Sequence, residues 1–320
     1  MRTRRLAVSG VLLGCGTAAL AGPLNSAWVR ADAAWVVHLD VESGVKSSVG
    51  RYVMDNAHRW DVNACEQIRA KTGMDISREI LGLTVYGAAA DGSDAVAIVH
   101  TSAAVDSFLD RLRAQETTYR VVESAGRSIE AWIEHGSPRY GHVLKRKGDQ
   151  RLIIVARAKH TLEEAIAQVE REQPAEAPPV LATMPREGSV VFVAATDMGP
   201  AAQRARAVVV KKMTQMRLDM GESGGELFAD MLVTTASETD ARDVFRSIDG
   251  NIAVGRMLLQ GEERLAPLVA ATEGLSVSAE GASVKVSFRH DSERVLEILK
   301  QIDAQVTGDE SRTDGNSGPR

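Results

Sequence analysis

Apolar and polar residues alternate most regularly in the stretch Ala34-Trp35-Val36-Val37-His38-Leu39-Asp40-Val41-Glu42. Trp35, Val37, Leu39 and Val41 recur at every second position, the period of a strand with one face on a core. This spacing predicts a solvated opposite face carrying His38, Asp40 and Glu42. A second apolar run, Ser189 to Ala195, returns about halfway down the chain. The two runs read as founding strands of two related halves.

Between them the period switches repeatedly. Residues 43–59 place Val45, Val49, Tyr52 and Val53 at helical spacing, with Asp40 or Ser43 as the cap. A short helix is predicted near 63–71. Strands are predicted at 80–87 and 94–100 around the turn Ala90-Asp91-Gly92-Ser93, then a helix at 103–115. Four more strands at 119–123, 128–134, 140–145 and 151–156 precede a helix at 161–170. Three prolines within 173–179 permit neither a helix nor a central strand, so 173–187 reads as a linker.

The second half pairs 213–220 with 226–235 through Gly221-Glu222-Ser223-Gly224-Gly225, a hairpin signal. Residues 200–212 are ambiguous between helix and strand. A helix over 240–260, a hairpin at 275–279 and 283–289, and a helix at 292–303 complete it. Residues 306–320 are polar and read as disordered. Hairpins with segregated helices predict an α+β fold of two similar halves, each a largely antiparallel sheet with helices on one face. The predicted organisation is a signal at 1–33, lobes at 34–172 and 188–305 joined by the linker, and a tail.

The signal rests on Met1-Arg2-Thr3-Arg4-Arg5 followed by 17 uncharged residues, Leu6 to Gly22. That run is short for a membrane span of about 20 residues. Two small-x-small sites compete for cleavage, Ala19-Leu20-Ala21 and Ala31-Asp32-Ala33. The second is preferred because it frees the chain just before the first strand. Lipidation at Cys15 is the less favoured alternative, since the Leu two places before it is atypical. The chain is therefore expected in the periplasm or cell envelope, with no membrane span in its mature part.

Composition then narrows the chemistry. Of 320 residues, 44% are hydrophobic, 25% charged and 4% aromatic, an ordinary globular balance with a core of aliphatic side chains. Losing four Arg and one Asp with residues 1–33 moves the formal charge from −5 to −8. An acidic chain whose longest basic run is Lys145-Arg146-Lys147 is not a nucleic-acid binder. Cys65 would be the one thiol left, so no internal disulfide can form, and it reads as a small buried hydrophobe.

No catalytic motif of useful specificity is present. HExxH and the glycine spacings for phosphate are absent, and the one match to G-x-S-x-G, Gly221-Glu222-Ser223-Gly224-Gly225, falls on the hairpin signal rather than in a strand-to-helix elbow. The sharpest constellation is metal-like: His38 and Asp40 lie two residues apart on one strand, about 6.5–7 Å along it. His135 and His142 are the candidates to complete the set. Against this stands the bland reading of a wet sheet face with a helix cap. Glu130 and Glu134 around Trp132 suggest a sugar platform, again against the commoner exposed sheet edge. Met216, Met220, Met231 and Met257 belong to a methionine-rich region that can line an apolar ligand site. Core packing is the competing explanation.

The run from Trp35 to Glu42, with Leu83-Thr84-Val85-Tyr86-Gly87, Asp94-Ala95-Val96, Trp132-Ile133 and Tyr140-Gly141, resembles a group of uncharacterised exported bacterial proteins. Their mature part begins with a WVVHLD-type strand. The resemblance covers the chain mainly to about residue 170. It implies export and a shared fold, and it carries no activity and no catalytic residues. The resulting expectation is an exported, non-enzymatic envelope protein that binds a partner or a small apolar ligand, without cofactor. The alternative is a metal-assisted hydrolase using His38 and Asp40. The oligomeric state stays open.

Overall fold

The computed structural model describes residues 24–56, 69, 73, 75–171, 178–199, 208–260 and 266–313. In chain order, β1 (Trp35–Leu39) leads into α1 (Val41–Lys46) and α2 (Ser48–Asp55), and α3 (Ile76–Glu79) into β2 (Ile80–Gly87). Then come β3 (Val96–Ser102), α4 (Val105–Gln115), β4 (Arg120–Ser124), β5 (Arg127–Glu134), β6 (Ser137–Lys145), β7 (Gln150–Ala156) and α5 (Lys159–Glu170). After a 3-10 turn at Pro179–Leu181 follow β8 (Ser189–Ala195), α6 (Val208–Lys211), β9 (Met213–Ser223) and β10 (Glu226–Thr235). The last elements are α7 (Glu238–Gln260), α8 (Ala266–Thr272), β11 (Leu275–Glu280), β12 (Ser283–Asp291) and α9 (Ser292–Thr313).

The α+β class is as expected, but the strands form one sheet. Its 12 strands run in the order β11-β12-β10-β9-β8-β1-β2-β3-β7-β6-β5-β4, and each neighbouring pair is antiparallel. The two founding strands meet in its middle, Trp35 opposite Ala195 and Leu39 opposite Val191. The two lobes therefore do not carry separate sheets. The largest core joins Val36, Tyr86, Ile98, Leu152 and Ile154 to Phe192 and Ala194 across that seam.

The two sheet faces differ. On one, α5 packs Leu162, Ala165, Ile166 and Val169 onto that main core. On the other, α4 places Val105 and Leu109 against Ile80, Val143 and Ile153. There, too, α7 places Val244, Phe245 and Ile248 near Val277 and Val284. Helices thus cover both faces, not one. Beyond β8 the α5 side of the sheet is polar: Asp230 of β10 pairs with Arg289 of β12 and accepts from Ser287 Oγ at 2.8 Å.

The polarity of β1 is opposite to its pattern. His38 and Asp40 are buried, 5% and 3% exposed, while Val37 is 36% exposed. Val36 and His38 point into the main core because the neighbouring strands place Tyr86, Thr84, Ala194 and Phe192 beside them. Alternation reveals that a strand has two faces. It does not reveal which face receives the tighter cover when both are apolar.

Other expectations shift at boundaries. The helix expected over 43–59 is two helices. Ser47 is extended between them (φ −62°, ψ 157°), its side chain accepting from Gly50 N and donating to Gly44 O. The final helix continues to Thr313, past the expected start of disorder at 306. The linker's second part is core, since Val180 and Leu181 are buried with the β1–β8 seam. Expected features at 63–68, at 200–207 and in the signal up to residue 23 lie outside the described residues.

Residues 24–33, expected to be removed with the signal, are part of the fold. Leu24, Val29 and Ala33 belong to the main core, with Val29 wholly buried. Trp28 meets His100 edge to face at 5.9 Å, and Gln168 Nε2 donates to Ala27 O at 3.0 Å. Arg30 reaches Asp94 at 2.8 Å. Burial of Leu24 and Val29 contributes on the order of 3–6 kcal/mol. Cleavage after Ala33 would strip this layer, whereas cleavage at Ala19-Leu20-Ala21 would keep it.

A chain starting at Ala34 is expected to lose several kcal/mol in urea denaturation relative to one starting at Pro23. Intact mass of the chain purified from a bacterial host should show an N-terminus before Leu24; a chain starting at Ala34 that is equally stable would contradict the assignment. Asp94 gives a second test. Burial alone would raise its pKa, but hydrogen bonds from Ala88 N and Ala89 N and the Arg30 guanidinium overcome this and hold it below the usual value. With the folded pKa depressed, the stabilisation is present above the unfolded value and lost as pH falls through the folded one. Asp94→Asn should therefore be less stable at neutral pH and should lose less stability than the native chain on acidification, read from denaturation midpoints between about pH 7 and about pH 2.

Candidate functional site

The face opposite the main core carries transverse rows of apolar residues. One row passes through Val143, Ile153, Val99, Leu83, Leu39, Val191, Met220, Ala229, Phe288 and Leu275, each opposite the next on the neighbouring strand. The adjacent row includes Val155, Ala97, Val85, Val37, Val193, Leu218, Met231, Val286 and Val277. In ordinary proteins an open sheet face is polar. Here most of these residues are half-buried rather than sealed, and Val37 and Met220 are exposed.

Between this face and α1–α2 lies a cavity of about 540 Å³. Leu39, Val190, Val191, Met220, Leu227, Ala229 and Phe288 form its sheet side, and Val41, Val45, Val49, Val53 and Met54 its helical wall. The size falls within the range of about 300–1,000 Å³ typical of small-molecule sites.

Local chemistry builds the wall. Asp40 ends β1 with its N–H bonded to Val190 O at 2.8 Å, and its carboxylate caps α1 by accepting from Ser43 N and Ser43 Oγ. Ser47 then turns the chain into α2. Glu222 of β9 fastens this second helix, accepting from Ser48 N at 2.9 Å and Ser48 Oγ at 2.6 Å. Tyr52 Oη lies 3.5 Å from Asp303 of α9, which packs behind α2. Gly50 sits where the helices touch, and a Cβ there would lie 1.8 Å from Gly44 O.

Two further cavities are more polar. One of about 150 Å³ is bordered by Thr196, Gln215, Met216 and Arg217. Another, of about 450 Å³, is bordered by Arg30, Tyr86, Glu163, Glu164, Gln168 and Arg171. The buried Tyr86 hydroxyl has no hydrogen-bond partner among the described residues, and burial pushes its pKa well above the usual tyrosine range.

The sequence-based metal set is spread over the sheet. His38 Nδ1 and Thr84 Oγ1 are hydrogen-bonded at 2.9 Å, and Asp40 is occupied as the α1 cap. His142 lies on β6, four strands from β1, which is roughly 19 Å at ordinary strand spacing. Its Nδ1 bonds Ser128 O at 2.9 Å. His135 and Gly136 both have positive φ, 49° and 76°, in the two-residue turn between β5 and β6. Among the described residues no group of three or more His, Cys, Asp or Glu is placed to hold a metal ion. Glu130 is paired with Arg113, and Glu134 with Arg139 at 2.8 Å.

The methionines also separate. Met220 lines the large cavity and Met216 the smallest one. Met231 stands in the second apolar row opposite Leu218, and Met257 is exposed on α7. The helical wall was missed from the sequence because its Val45, Val49 and Val53 read as ordinary core spacing. The overlooked signal was an amphipathic helix beside two strand faces that are both apolar.

No family model matches the chain, and no curated protein does so. Among solved structures the chain is similar to three crystal forms of TP0453. Form III gives 10% identity and a TM-score of 0.47, covering 87% of this chain and 97% of that one. Form I gives 9% and 0.44 over 87% and 98%, and form IV 9% and 0.41 over 87% and 97%. At these scores the likeness carries no inference about ligand, activity or location. Among the described residues no helix is long and apolar enough to cross a membrane.

Gly50→Ala is expected to force α1 and α2 apart and to destabilise the protein by about 1–3 kcal/mol, the usual cost of overpacking. Gly255→Ala, with open space around its site, should be neutral or stabilising. Comparison of the two thermal midpoints checks the close approach.

Proposed function

We propose that this is an exported, non-enzymatic α+β protein of the cell envelope that holds a small apolar ligand between α1–α2 and the central strands. The observation that carries this reading is the lining of the 540 Å³ cavity, which is apolar apart from Ser47, Glu222 and backbone groups. Solvating such a surface is unfavourable, and apolar molecules that displace the water gain the corresponding hydrophobic free energy. Export is supported by the charged start and the uncharged run after it, and by the resemblance to exported proteins.

The sheet's remaining polar groups favour structure over catalysis. His38, Asp40, Glu130 and Glu134 each have a partner that orients them within the fold.

A fluorescent alkyl probe should bind the purified protein saturably at one site, with enhanced emission. Ala229→Phe, which places a ring on the cavity floor, should weaken that binding at least tenfold while leaving the circular dichroism spectrum unchanged. Unaltered probe affinity in a folded Ala229→Phe variant would remove the cavity from consideration.

A further inference from the structure

The cavity's charge pattern speaks to the kind of ligand it accepts. Among the described lining residues the one ionisable side chain is Glu222, and no Lys, Arg or His joins it. The nearby helix N-terminus is the sort of feature that attracts anions. In this protein it is already occupied from within: Glu222 takes Ser48 N and Ser48 Oγ, and Ser47 takes Gly50 N. The α1 terminus is likewise satisfied by Asp40. An incoming carboxylate or phosphate would lose its hydration, find no cation among the described lining residues, and lie in the field of a fixed carboxylate.

Shape adds a second constraint. Along the cavity floor Leu39, Val191, Met220, Ala229 and Phe288 stand opposite one another on five successive strands. Five strands at about 4.8 Å spacing make a strip roughly 19 Å long. A cavity of about 150 Å³ holds a benzene ring. On that scale the 540 Å³ here suits a molecule on the order of twenty carbon atoms. A floor drawn out along this row fits a single alkyl chain better than a compact ring system.

We infer that the ligand is a single-chain amphiphile with an uncharged head group, and that Glu222 acts as the specificity residue that disfavours anionic heads. This rests on the proposed apolar-ligand function. Glu222 would do two jobs with one carboxylate: fastening α2 over the sheet, and setting the sign of the potential at the polar edge of the site.

The test displaces the fluorescent probe from the full mature chain with dodecanol and with dodecanoate, each below its micelle-forming concentration and at a pH where the acid is ionised. Dodecanol is expected to bind at least tenfold more tightly than dodecanoate. Glu222→Gln, which keeps an acceptor for Ser48 N, should leave dodecanol affinity nearly unchanged and narrow the gap to within about threefold. Dodecanol binding serves as the control that the variant is folded. Equal or tighter binding of dodecanoate to the native chain would overturn the inference, as would a gap that Glu222→Gln leaves intact. Failure of both competitors and of the probe would instead overturn the apolar-ligand function itself. Light scattering in parallel separates a second copy of the chain as occupant: a dimer that dissociates as probe binds would overturn the small-amphiphile assignment.

Discussion

Antiparallel pairing of β1 with β8 is the constraint on which the rest of the molecule depends. It places Val36 and His38 beside Phe192 and Ala194 on one side of the sheet. The resulting core is then closed by α5, by residues 24–33 and by Val180 and Leu181. Burial on that side brings together segments from distant parts of the chain. Because strand pairing turns alternate residues to opposite faces, the same seam dictates the other side. Leu39, Val37, Val191 and Val193 must then face away from the main core.

That second face is where a site becomes available. Its apolar rows continue across the strands, yet its cover comes from separate helices, with α4 at one end, α7 at the other, and α1–α2 between. The cap from Asp40, the turn at Ser47 and the bond from Glu222 hold the middle pair over the sheet. Each is a polar contact at a helix end, so the wall is anchored by its termini while its apolar side borders the cavity.

The polar residues that first suggest chemistry serve the fold. His38 and Thr84 satisfy one another inside the core, where an unpaired polar group would cost about 1–3 kcal/mol. Asp40 links strand to helix by satisfying the first N–H groups of α1. His135 accepts a positive φ in a tight turn. These roles need single residues at defined places, which is why short polar motifs resembled a scattered metal set.

The amino-acid sequence by itself determined the α+β class, most strands and their hairpin turns, the inward residues of α5 and a helix cap at Asp40 or Ser43. These depend on period, glycine and local hydrogen bonds, all of which act over a few residues. Tertiary structure decided the rest. Val36 and Val37 are both valine, and nothing local says which is buried; the neighbours supplied by β2 and β8 do. Residues 24–33 looked like a spacer after an export signal because their core partners, Ile98, Leu152 and Leu162, lie far along the chain. The cavity was likewise invisible to periodicity, since it arises where α1–α2 meet strands from both ends of the chain. Burial and cavity shape are properties of that long-range assembly, and β1 stands at its centre.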